Sequence, residues 1–282
     1  MTITPGTTVL LATRGVGGIE FLREVFPRGA LEAFGVLTWL GSVPFVVGLF
    51  AVVYWFGVRD RGVFGLATVL GAFALTVALK AVFALPRPPE AGWLIEATGY
   101  GFPSGHAIAA TVAWGYLAAT LDWGTGRQRF GAAGLVVAVV ALSRVAVGVH
   151  YAVDVVVGVA VGAAYLAILT RIDGADRAFG VATVVSLLAL AVTGGGSDAA
   201  LLLGATAAGA LAWTKLSVPP TPWGREGVLP AVGGGGAIGA LVFVGYRWDL
   251  LAPVEFVVGA VGVALLLGLP VLVERVAGRA DR

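Results

Sequence analysis

Two histidines, His106 and His150, are all that this chain of 282 residues contains. His106 sits in the stretch TGYGFPSGHAI at 98–108. His150 is followed four positions later by Asp154, a spacing that would place both on one face of a continuous helix. A carboxylate accepting from one imidazole nitrogen fixes the tautomer and leaves the other nitrogen free as a nucleophile. His106 has no acidic neighbour at that spacing. Its place beside Pro103, Ser104 and Gly105, at a helix start, suits a general acid for a leaving oxygen. Lys80, Arg87 and Arg144 add three fixed cations, with Asp154 alone to offset them. Such a set matches an anion with several oxygens, because arginines fork onto a phosphoryl group and a lysine adds a point charge. At a helix start, the backbone N–H groups of Ser104 and Gly105 are outside the helical ladder and can point at the same anion. Gly105 would let the backbone approach it closely.

Taken singly, each residue has a plainer reading. His106 could cap a helix, His150 and Asp154 could be a structural i,i+4 pair, and Lys80 and Arg144 could be snorkelling cations. What favours chemistry is their joint placement, which depends on the elements that carry them. The composition is 59% hydrophobic and 12% charged, with a mean hydropathy of +0.95. Helices apolar all round at bilayer length have no place in a soluble domain, so the chain reads as an all-α polytopic membrane protein. Spans are expected near 31–57, 62–85, 104–121, 130–149, 152–170, 177–194, 197–213, 228–246 and 254–273. Residues 8–26 hold Arg14, Glu20, Arg23 and Glu24, which fit an interfacial amphipathic helix better than a crossing. All six ionisable residues then fall at one end of spans two to five, although they are scattered over a stretch of 75 residues, 80–154. Intramembrane charges are costly and usually functional.

The arginines and lysines assign the sides. Setting aside Lys80, Arg87 and Arg144, eleven lie on the face holding the C-terminus and four on the face holding the PSGH loop. The positive-inside rule puts the C-terminus in the cytoplasm and the PSGH loop outward. The formal charge of +2 therefore reports orientation and not nucleic-acid binding. No cysteine is present, which excludes disulfides and thiolate metal sites. Two histidines are too few for a three-imidazole metal centre. The first residues do not show the basic start, short apolar core and small-residue cleavage site expected of a removable signal peptide. Sixteen arginines against two lysines suggest a GC-rich prokaryotic genome, hence a prokaryotic plasma membrane.

The segments K80-AVFALP-R87-P88, P103-S104-G105-H106 and S143-R144-VAVGV-H150-YAV-D154 resemble the three-part signature of the type 2 phosphatidic acid phosphatase (PAP2) superfamily, which also includes the vanadium haloperoxidases. The resemblance covers roughly residues 60–172. It implies a PAP2-like helical bundle and a phosphatase that needs no metal or other cofactor and works through a phosphohistidine. By motif position His150 would be the nucleophile, Asp154 its orienting partner and His106 the acid. Lys80, Arg87, Ser104, Gly105 and Arg144 would hold the phosphate.

The expected organisation is an N-terminal interfacial helix at 1–28, a PAP2-like catalytic core at 29–172 and a C-terminal extension of about four spans at 173–282. A site near the interface suits an amphiphile, with a polyprenyl diphosphate or a phosphatidate- or phosphatidylglycerophosphate-like lipid as the partner. Three alternatives stay open: a lipid phosphotransferase, a haloperoxidase (against which nine spans argue), and a lipid-phosphate transporter or flippase. The G-x-x-x-G pairs Gly158/Gly162 and Gly235/Gly239 read as close-packing surfaces. GGGG at 233–236 should make its span bendable, even broken. Trp93, Trp123, Trp223 and Trp248 read as interfacial anchors, and Glu90 and Glu96 as solvated acids.

Overall fold

A computed structural model describes residues 17–216, 224, 227–248 and 250–280. Among them the secondary structure is helical, without strands. The helices are α1 Gly17–Val25, α2 Arg28–Leu37, α3 Val43–Phe56, α4 Arg59–Phe83, α5 Gly105–Thr120, α6 Gly126–Ala146, α7 Ala152–Leu169, α8 Ala175–Val192, α9 Ser197–Lys215, α10 Val228–Trp248 and α11 Ala252–Ala280. Short 3-10 turns occupy Thr38–Gly41 and Glu90–Gly92. The expected interfacial helix is described only from residue 17. Its earlier part with Arg14, and also Trp223 and Arg225, lie outside the described residues.

In place of one span at 31–57, the chain breaks. The 3-10 turn and Ser42 separate α2 from α3, leaving a bent pair. By length and hydropathy, five described helices (α4, α6, α7, α8 and α11) can each cross a bilayer, and the bent pair makes a sixth. The chain is thus a multi-pass membrane protein. Of the other expected spans, α5 has only 16 residues, with Ser104 as its N-cap and Leu121 as its C-cap. The apolar part of α10 is the stretch Val228–Leu241, short for a crossing.

By packing, the chain forms two compact units, Met1–Val46 with Leu79–Ala167 and Val47–Ala78 with Ile168–Arg282. In the first, glycines seat helix on helix. A Cβ at Gly158 of α7 would lie 2.8 Å from the Ser104 carbonyl oxygen, and one at Gly162 would lie 2.9 Å from that of Ile108. This pair is the close-packing surface its spacing implies, and it sets α7 directly against the start of α5. On another side, the 3-10 turn packs on α5 and α6. A Cβ at Gly41 would meet the His106 carbonyl at 2.8 Å and Val140 at 2.9 Å, and the Trp114 indole donates to Leu40 O at 3.1 Å. The start of α6 is closed by a capping box in which the Thr125 N–H donates to Gln128 Oε1 at 2.8 Å and the Gln128 N–H to Thr125 Oγ1 at 3.3 Å.

In the second unit, Gly204 of α9 and Gly259 of α11 leave no room for a Cβ against the carbonyls of Phe256 and Leu201. Pro270 lies inside α11 and has no N–H for the carbonyl of Leu266, four residues before it. The Trp55 indole donates to that carbonyl at 3.1 Å, and Tyr54 Oη donates to the next one, Leu267 O, at 2.7 Å. The expected break at Gly233–Gly236 does not occur, and α10 runs through it unbroken. Two of those glycines are taken up by packing instead. A Cβ at Gly234 would strike Leu269 at 2.7 Å, and one at Gly235 would crowd Trp55 at 3.2 Å. Gly239 faces open space, so the second G-x-x-x-G pair packs at one residue only.

Candidate active site

All eight residues singled out in the sequence belong to the first unit. Lys80 lies in the last turn of α4, Arg87 in the following loop, and Ser104 is the N-cap of α5, with Gly105 and His106 in its first turn. Arg144 ends α6, His150 occupies the turn after it, and Asp154 is in the first turn of α7. Arg144, Lys80 and Arg87 all act electrostatically on both His106 and His150, and His150 acts on His106. One cluster therefore holds both histidines and the three cations.

The link between His150 and Asp154 differs from the expected one. The two do not share a helix face, because α7 begins only at Ala152. Asp154 instead stands at the third helical position and reaches back. Its Oδ2 accepts from the Tyr151 N–H at 3.0 Å, the reciprocal half of a capping box, and faces His150 Nδ1 at 3.4 Å. Both partners are sealed, with relative exposures of 1% for His150 and 0% for Asp154. On the other side of the ring, Arg87 Nη1 lies 3.1 Å from His150 Nε2. A guanidinium can only donate, so Nε2 is the acceptor and Nδ1 carries the proton toward Asp154. Burial, followed by the charges of Arg144, Arg87 and Lys80, pushes the His150 imidazolium well below the ordinary histidine range, so the ring is neutral. The arrangement presents an imidazole lone pair beside a phosphate-type donor.

Arg87 is itself held by carbonyls. It donates to Thr98 O from Nε at 3.2 Å and Nη2 at 2.8 Å, to Gly99 O at 3.1 Å, and to Val149 O at 3.0 Å. None of these contacts is visible from side-chain types, since backbone acceptors carry no sequence signal. Arg144, 4% exposed, donates from Nη1 to Thr38 Oγ1 at 2.9 Å. Thr38 was not singled out in the sequence. It sits 106 positions away, in the turn that breaks the first span.

The serine wall also differs in one respect. The Ser104 N–H does not point at an anion, because it donates to the Asp154 carbonyl at 2.9 Å. That bond joins the start of α5 to the start of α7. Pro103 lies before the N-cap and not within the first turn. What Ser104 offers is its hydroxyl, fully buried and without a hydrogen-bond partner among the described residues, as is Arg144 Nε. The Gly105 N–H, at the first helical position, has no intrahelical acceptor. Buried donors without partners are costly, and an anion with several oxygens is the group that would satisfy them together. Glu90 and Glu96 are exposed, in keeping with solvated acids.

Comparison with known proteins bears on the same segment. The chain is 30% identical over 184 residues to lipid phosphate phosphatase delta of Arabidopsis thaliana, an alignment covering 58% of this chain and 44% of that protein. It thus spans less than half the length of that relative. No solved structure matches it. The PAP2 superfamily profile matches residues 62–177, the stretch that supplies every one of the eight clustered residues. Over that stretch the chain is similar to the PAP2 superfamily.

Proposed function

We propose that the protein is a membrane phosphatase acting on a lipid phosphate or polyprenyl diphosphate through a phosphohistidine. The observation that carries this reading is the polarised imidazole of His150, flanked by the Asp154 carboxylate on Nδ1 and by the Arg87 guanidinium at Nε2. When a phosphoryl group enters, Arg87 and Arg144 fork onto its oxygens, with Lys80, the Ser104 hydroxyl and the Gly105 N–H completing the cradle. The Nε2 lone pair then attacks phosphorus in line, the bond from phosphorus to the leaving oxygen breaks, and His106 gives that oxygen its proton. Asp154 stabilises the ring cation that forms. In the second half, water attacks the phosphohistidine and His106 takes its proton. The P–N bond breaks, releasing phosphate and restoring both imidazoles.

The relative named as a lipid phosphate phosphatase supports an amphiphilic substrate, as does a site at helix ends in a multi-pass protein. Phosphatidate- and phosphatidylglycerophosphate-like lipids and polyprenyl diphosphates share that chemistry. The eleven-to-four asymmetry of basic residues supports a site facing outward and a cytoplasmic C-terminus.

The test is phosphate release by the purified protein across a panel of phospholipid and polyprenyl phosphates. His150→Ala should reduce release to background, and EDTA should leave the wild-type rate unchanged. A fully active His150→Ala variant, or a strict requirement for an added divalent ion, would overturn the mechanism.

A further inference from the structure

Helix α1 lies outside the segment that matches the family, yet it is packed into the site from below. Its Ile19, 8% exposed, forms one apolar cluster with Ala107, Val145 and Val155. Each of those three directly follows a clustered residue in sequence: Ala107 follows His106, Val145 follows Arg144, and Val155 follows Asp154. Leu22 of the same helix packs against this cluster, along with Ala141 and Val159. Residues 19, 22 and 23 share one helical face. From that face Arg23 reaches the outer loop, its Nη2 donating to Gly92 O. Gly92 in turn lies against Gly148, whose φ of +83° and lack of a Cβ permit the approach. A Cβ there would fall on Gly92 O and 2.7 Å from Arg23 Nη2. A second tie joins the same pieces, with the Leu94 N–H donating to Val147 O at 2.9 Å. The opposite face of α1, with Glu20, Phe21, Glu24 and Val25, is exposed.

We infer that α1 is a positioning element of the catalytic site: Ile19 wedges the starts of α5 and α7 against the end of α6, and Arg23 clamps the Arg87-bearing loop to the turn that carries His150. This inference rests on the phosphatase reading for its kinetic consequence but not for its structural one. Arg87 reaches His150 only if the loop 84–104 keeps its register on residues 147–150. Removing the clamp lets that loop drift while the membrane helices stay in place.

The test uses the full-length protein with Arg23→Ala and Arg23→Lys, and with Glu20→Gln on the exposed face as control. Expected for Arg23→Ala are a tenfold or greater loss of kcat/KM, faster hydrogen exchange across 84–104 and an unchanged thermal midpoint. The acid limb of the kcat/KM profile should also move to higher pH, since the Arg87 cation would no longer sit fixed at His150. Arg23→Lys should recover part of the rate, because an ammonium can still donate to Gly92 O, and Glu20→Gln should match wild type. Wild-type kinetics and wild-type exchange in folded Arg23→Ala would overturn the clamp. If Arg23→Ala does not fold, Ile19→Val with Arg23→Lys decides by the same readouts. A wild-type protein inactive on every lipid phosphate would sink the phosphatase reading alone, and exchange in 84–104 would still decide the clamp.

Discussion

The two walls of the site are built on opposite terms. On the histidine wall the donors and acceptors are matched. Asp154 Oδ2 takes the Tyr151 N–H and faces His150 Nδ1, while Arg87 is held by Thr98, Gly99 and Val149 and touches Nε2. On the serine wall, the Ser104 hydroxyl and Arg144 Nε are buried with no hydrogen-bond partner among the described residues. The first wall is preorganised before anything binds, and the second is completed by what binds. On the proposed reading, the fold would fix the geometry of the nucleophile, whereas anion affinity would come from polar groups that the fold leaves unmatched.

That contrast can be broken by substitution. Asp154→Asn should have the largest effect, because it removes the charge opposite the ring and disturbs the cap of α7 together. Activity should fall by about 10³-fold, and stability by about 1 kcal/mol, read from release kinetics and thermal unfolding. A near-normal rate would mean that the matched wall is structural only. Ser104→Ala should separate the two properties. Orthovanadate binding should weaken about tenfold, or roughly 1.4 kcal/mol, as for a lost hydrogen bond to a charged group, with thermal stability held or slightly raised. Loss of stability without loss of vanadate affinity would erase the distinction between the walls.

The pH profile sharpens the same point. The proposed mechanism needs a neutral His150, and burial together with Arg144, Arg87 and Lys80 disfavours its protonated form. The acid limb of kcat/KM, which reports the free enzyme, should therefore lie below the ordinary histidine value of about 6.5. A His150 limb at or above that value would show that the ring is neither desolvated nor flanked by cations. The smallest effect belongs to Thr38→Val, which leaves Arg144 in place but removes the acceptor of its Nη1. A loss of kcat/KM of about fivefold, near 1 kcal/mol, is expected. No change would reduce Thr38 to packing.

The residues of the candidate site stood out in the sequence because their types are rare in apolar spans. Two histidines and three cations in such a chain stand out whatever the fold. Most helices were legible from their long apolar runs, but the break at 38–42 within the span expected at 31–57 was not. The rest depends on contacts with no periodicity. Thr38 is an ordinary residue until the break at 38–42 brings it to Arg144. Ile19 is one apolar residue among many until it is found packed with the sequence neighbours of three site residues. The Ser104 amide looks available from its position at a helix start, and only tertiary structure shows it committed to Asp154. The glycine run at 233–236 misled in the opposite direction, because backbone freedom there is cancelled by Leu269 and Trp55.

The bond from the Ser104 N–H to the Asp154 carbonyl, reinforced by Gly158 lying on the Ser104 carbonyl, has a consequence for turnover. It ties the start of α5, which carries His106 in its first turn, to the first turn of α7, just after His150. Under the proposed mechanism, the attacking and protonating imidazoles would then be held by elements tied at this bond, and substrate entry would not draw them apart. On that reading a leaving oxygen would have to fit the gap between them as it stands, and the frame would act as a ruler on the scissile bond.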